Sequence, residues 1–192
     1  MKYYDEKILE VRREEERLRH TTLETGIYVE DDLITFRQIS LPNIPIRVVL
    51  PEQFIPMPGA VKDVKYPSKN APDFVVTSMD SAVNFGFNLF NKRIEDGDTA
   101  VMSRQFRDAL RNVNPSIKIS KWEDNIKTDN DFEMSWFQFK GYALDGQNFN
   151  RMYFIKMKKS VLHGIFNCPM RVKEEWVDIA AKCFQTVEEI EE

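Results

Sequence analysis

The stretch MSWFQFKGYALDGQNFNRMYFIKMKKSVLHGIFNCPMRVKEEWVDIAAKCFQTV, residues 134–187, decides the fold. Three strand-like runs, Met134–Leu144, Phe149–Lys158 and Val161–Cys168, follow one another with short breaks and lead into an amphipathic helix from Arg171 to Val187. Asp145-Gly146 marks the first turn and Ser160 the second. On the helix, Val172, Trp176, Ile179, Ala180, Cys183, Phe184 and Val187 share one face, with Lys173, Glu174, Glu175, Asp178 and Lys182 opposite. Such a face must lie on the sheet. Within Met134–Leu144 both parities carry large groups: Met134, Trp136 and Tyr142 on one side, Phe137, Phe139 and Ala143 on the other. A sheet covered on both faces reads this way. The expected fold class is α+β, an antiparallel β-sheet with helices packed on its faces.

Upstream, Lys2–Arg19 contains neither Gly nor Pro and places Tyr4, Ile8, Val11 and Leu18 on a narrow helical stripe, with Glu15 where another apolar residue would stand. It carries two readings, a surface helix or frayed extension and a hook that docks on a second subunit or partner. Residues 1–30 are read as a charged helical extension and 31–192 as the α+β domain. LITFRQI and IPIRVVL predict two early strands separated at Pro42-Asn43. PEQFIPMPGAVKDVKYPSKNAP holds five prolines and predicts a connecting loop with a short extended piece near Val61–Tyr66. FVVTS and VNFGFNLF flank Met79-Asp80-Ser81-Ala82 as a β-hairpin. Asp98 is the expected N-cap of a helix whose stripe is Met102, Phe106, Ala109, Leu110 and Val113. IKISKW then predicts a strand and NIKTDNDFE a polar turn.

A chain of 192 residues with 42% hydrophobic and 12% aromatic content can build a core without staples. A net charge of -4 and pI near 5.4 oppose a general nucleic-acid surface, which needs a basic excess. The start MKYYDEKILEVRREEERLR lacks the apolar centre of a signal peptide, and no run approaches the roughly 18 apolar residues of a membrane helix. Two cysteines do not make a disulfide scaffold. The expectation is a cytoplasmic protein with reduced thiols and no membrane insertion.

No residue pattern specifies catalysis or a cofactor. Cys168 and His163 stand five apart on one strand, so their side chains point to opposite faces. Cys183 falls on the apolar face of the last helix, where free cysteine packs as a small hydrophobe. Asp129, Asp131 and Glu133 imitate the start of a calcium loop, but Met134 and Lys140 occupy the places of its glycine and bidentate glutamate. No metal and no cofactor are expected. Glu95, Asp96, Asp98 and Glu123 are the acids from which a small-ligand site or weak hydrolase could be built. The surplus aromatics carry two readings, core packing and an open sheet face that receives a partner's apolar segment. In the second, Phe85, Phe87, Trp136, Tyr153 and Ile155 are the anchors.

The order of strands, helix, strand, three-stranded meander and terminal helix resembles the PsbP-like sandwich, also seen in bacterial DcrB-like proteins. The likeness covers about Leu33 to Val187 and is strongest over MYFIKMKKSVLHGIFNCPMRVKEEWVDIAAKCFQTV, where a strand with Gly164 turns into a helix bearing Trp176. The resemblance implies an α/β/α sandwich and a non-enzymatic binding or assembly factor, with no catalytic residues to carry over. This chain has a charged helix where such proteins carry a lipoprotein signal or transit peptide. The function expected is therefore a cytoplasmic protein-binding adaptor or chaperone, of the kind that serves a secretion or phage-like apparatus, with a homo-oligomer through the N-terminal helix as one form.

Overall fold

The computed structural model describes residues 2–67, 71–143 and 146–190. In chain order the elements are α1 (Lys2–Arg19), β1 (Thr21–Thr22), β2 (Gly26–Val29), β3 (Asp32–Ile34), β4 (Phe36–Ser40), β5 (Ile46–Pro51), β6 (Ile55–Pro56) and α2 (Gly59–Lys65). There follow β7 (Phe74–Thr77), β8 (Asn84–Phe90), α3 (Asp98–Val113), β9 (Lys118–Lys127), β10 (Glu133–Ala143), β11 (Gly146–Lys156) and β12 (Val161–Pro169). A 3-10 turn at Met170–Val172 opens α4 (Lys173–Gln185), and β13 (Glu188–Glu189) ends the order.

The main sheet is seven-stranded and antiparallel, in the order β6-β7-β8-β12-β11-β10-β9. Its register aligns Trp136, Tyr153, Gly164 and Phe87 as one row across four strands. That face is sealed by α4 and by the small sheet β13-β5-β4, whose Ile46, Val48 and Leu50 join Trp176, Ile179, Cys183 and Phe184 in the larger core. The opposite face carries Phe137, Phe139, Phe154 and Val161, and α3 covers it with Met102, Phe106 and Leu110. Both parities of β10 are thus buried because each faces its own helix. A third sheet, β1-β2-β3, lies beside this body.

The expected hairpin of β7 and β8, the meander and the terminal helix are present, and of the α3 stripe Met102, Phe106 and Leu110 pack on the sheet while Ala109 and Val113 are exposed. The Asp145 half of the Asp145-Gly146 turn lies outside the described residues. Four local expectations need correction. Val61–Tyr66 is not extended: α2 fills the proline-free interval between Pro58, whose φ of -58° suits a helix start, and Pro67, which ends it. The cap of α3 is Gly97 at φ 89°, a left-handed position that suits glycine, and Asp98 instead accepts the Glu95 N–H at 2.9 Å. LITFRQI is two strands, since β3 pairs with β2 and β4 with β5, the chain changing sheets at Thr35. NIK belongs to β9, which pairs with β10 through Lys127 across a bulge where Asn125 takes φ 55°.

The helix of the N-terminal extension ends at Arg19, and the next ten residues are not helical. β1 and β2 pair with each other and with β3, and Leu23, Ile27 and Val29 pack against the larger core. Those three apolar side chains tie residues 23–29 of the extension to the body.

Candidate interaction surface

The five residues expected to anchor a partner are brought together, but inside the molecule. Phe85, Phe87, Trp136, Tyr153 and Ile155 are all buried in the larger core. The open aromatic face is thus corrected to a covered one, and the packing reading holds for these side chains. Phe184 descends from α4 onto the row, stacking on Tyr153 at 4.0 Å and tilting against Phe87 at 5.7 Å and Phe85 at 6.1 Å. At the far end the Arg151 guanidinium lies 4.2 Å from the Trp136 ring and donates to Gln138 Oε1 at 2.7 Å. Burial pushes the Tyr153 phenol up to about 12, with the Arg151 charge opposing the shift.

The acids do not converge. Asp96 is exposed and accepts the Lys156 ammonium at 2.6 Å, an ion pair whose hydrogen bond lowers the carboxyl pKa and raises that of the amine. Glu123 is exposed on β9, across from Trp136. The acid held inside is Glu133, which the calcium-loop comparison touched for another reason. Its Oε1 accepts the Thr99 hydroxyl at 2.6 Å and its Oε2 the Gly97 N–H at 2.8 Å. Because a carboxylate only accepts, the Thr99 hydrogen is committed, so Ser135 donates to Thr99 at 2.8 Å and itself accepts the Asn125 N–H at 2.9 Å. This chain locks the positive end of α3 to β10 and β9. Glu133→Ala should cost about 1–3 kcal/mol, the penalty for stranding the buried Thr99 hydroxyl and the part-buried Gly97 N–H, measured by urea unfolding.

His163 occupies the second core, stacked on Phe154 at 5.0 Å and Phe90 at 5.4 Å and tilted against Phe106 at 5.2 Å, with Nδ1 facing the Asn88 amide at 3.3 Å. Burial lowers its pKa to about 4. The folded state therefore favours neutral imidazole, while the unfolded chain takes its proton near 6.5. The stability it supports is full above about 6.5 and is lost as pH falls towards 4. His163→Phe should flatten the pH dependence of urea unfolding over that window relative to the parent chain. Both cysteines are free and buried, and burial raises the Cys168 thiol to about 12 and pushes Cys183 up as well. Among the described residues no group of three His, Cys, Asp or Glu is placed to hold a metal ion.

No family model matches the sequence, and no curated protein matches it. Solved structures do. The cyanobacterial PsbP (CyanoP) of Synechocystis sp. PCC 6803 superposes with a TM-score of 0.60 at 8% identity, over 85% of this chain and 98% of that one. The chain has the PsbP-like fold. The Ran-binding protein Mog1p of Saccharomyces cerevisiae has a TM-score of 0.51 at 10% identity, covering 82% of this chain and 97% of its own. LpqN of Mycobacterium tuberculosis, involved in cell envelope biogenesis, also scores 0.51, at 13% identity over 90% and 99%.

On this PsbP-like body the exposed large apolar groups are scattered: Ile55 on β6, Val64 on α2, Met79 in the β7–β8 turn, Val101 and Val113 on α3, Trp122 on β9 and Tyr142 on β10. Single exposed apolar residues are ordinary. The exception is α1, exposed at every position from Glu6 to Arg19, with Ile8 52%, Leu9 55%, Val11 54% and Leu18 73% accessible. Its last turns reach the body through Arg17, which pairs with Asp31 at 3.0 Å, donates to the Glu30 carbonyl at 2.5 Å and lies 5.7 Å from the Tyr28 ring. The Tyr4 side chain of the expected stripe lies outside the described residues. Among the described residues no helix is long and apolar enough to cross a membrane.

Proposed function

We propose that the protein is a non-enzymatic, cytoplasmic protein-binding module whose contact element is α1. One observation carries this reading: Phe85, Phe87, Trp136, Tyr153 and Ile155 of the sheet are sealed in the larger core, whereas α1 presents Ile8, Leu9, Val11 and Leu18 outward. Helices gain most of their stability in proteins by burying an apolar face, so an 18-residue helix with this stripe in water gains by docking. The likeness to a Ran-binding protein is compatible with protein binding as a use of the fold. An adaptor or chaperone at a secretion or phage-like apparatus is the finer form of the proposal, favoured if neighbouring genes encode a secreted toxin or tail-like component.

Removal of residues 1–19 tests the contact role. Asp31 is fully exposed and its pairing with Arg17 is screened by water, so the truncated chain should keep its circular dichroism and melt within about 4 °C of the parent. It should lose association. Unfolding of the truncated chain would show that α1 belongs to the core and would defeat the reading. Turnover of a small substrate that is lost in Asp96→Asn would replace it with an enzyme.

A further inference from the structure

From Ile8 onward the seam of α1 alternates by three and four: Ile8, Val11, Glu15, Leu18. An average spacing of about 3.5 is that of a two-helix coiled coil, narrower than the face a helix lays on a globular core. In that repeat Ile8 and Glu15 take the a positions, Val11 and Leu18 the d positions, Lys7 and Glu14 the g positions, and Arg12 and Arg19 the e positions. Lys7, Ile8, Val11 and Arg12 line one shallow groove along the exposed side.

Resting on the reading of α1 as the contact element, we infer that its partner is α1 of a second copy, lying antiparallel. The charges choose the orientation. A parallel pair sets a against a and g against e, which puts Glu15 on Glu15 in the core, and its two Glu14–Arg19 attractions are offset by Lys7 beside Arg12 of the second copy twice over. An antiparallel pair sets a against d and g against g. Ile8 then meets Val11 of the second copy and the converse, the two Glu15 side chains separate, and Lys7 pairs with Glu14 twice over. The attachment of the body agrees, since each body begins at the C-terminal end of its α1. Antiparallel helices carry the two bodies to opposite ends of a rod about 27 Å long, whereas parallel ones would crowd them together. A seam of five turns is short, so pairing is reversible and concentration-dependent.

Sedimentation equilibrium of the full chain over a wide concentration range tests this. The expected mass at high concentration is twice 22.6 kDa, falling on dilution. Ile8→Asp should return the chain to monomer while leaving its melting unchanged. Lys7→Glu should weaken pairing about tenfold by making both g pairs repulsive, and Lys7→Glu with Glu14→Lys should restore it. Strengthening by Lys7→Glu would instead show a parallel pair, because that change turns the contact with Arg12 attractive, and would overturn the antiparallel assignment. A dimer that survives loss of residues 1–19 overturns the assignment to α1. A full chain that stays monomeric, with a truncated chain that still folds, overturns self-pairing alone, while unfolding on truncation overturns the contact role itself.

Discussion

Gly164→Ala should lower the unfolding free energy by about 3 kcal/mol, the upper end of what one extra core methyl costs. A Cβ at Gly164 would stand 2.2 Å from Phe184 Cε1, 2.8 Å from Cζ and 2.9 Å from Cδ1. The ring has nowhere to go, since it is stacked on Tyr153 and hemmed by Phe85 and Phe87. Gly164 thus serves as the notch in the row Trp136, Tyr153, Gly164 and Phe87 into which α4 lowers the Phe184 ring. Phe184→Ala empties that notch and should cost about 3–5 kcal/mol. The two changes act on one space, so the double variant should be more stable than additivity predicts by at least about 1 kcal/mol. Strict additivity in urea unfolding would mean the ring and the glycine do not meet.

Trp176→Ala should cost about 3–5 kcal/mol, as for a large buried aromatic. The indole is buried where α4 meets the small sheet, 5.4 Å from the Phe54 ring, in the same cluster as Ile46, Val48 and Leu50. Trp176→Phe should recover much of the loss, because it restores most of the area and leaves a smaller cavity. A loss below about 1 kcal/mol in urea unfolding of the alanine variant would place the indole in solvent and detach α4 from the sheet.

Residues 134–187 by themselves determined the architecture, because antiparallel strands joined by short turns and a helix with one apolar face leave few ways to pack. The two-sided apolar pattern of β10 also showed in the sequence that the sheet is covered on both faces. The exposed stripe of α1 was legible too, since Glu15 interrupts it and polar residues surround it. What only the tertiary structure decided is which layer lies over each aromatic. Phe85, Phe87, Trp136, Tyr153 and Ile155 read the same whether a helix covers them or a partner does, because alternation fixes a side chain's face and not its neighbour. Glu133 and His163 were likewise outside the reach of sequence, for their roles depend on contacts with Thr99 and Phe106 that lie far from them in the chain. Periodicity is a local property of the backbone, whereas burial and hydrogen-bond partnership are set by elements that meet only on folding.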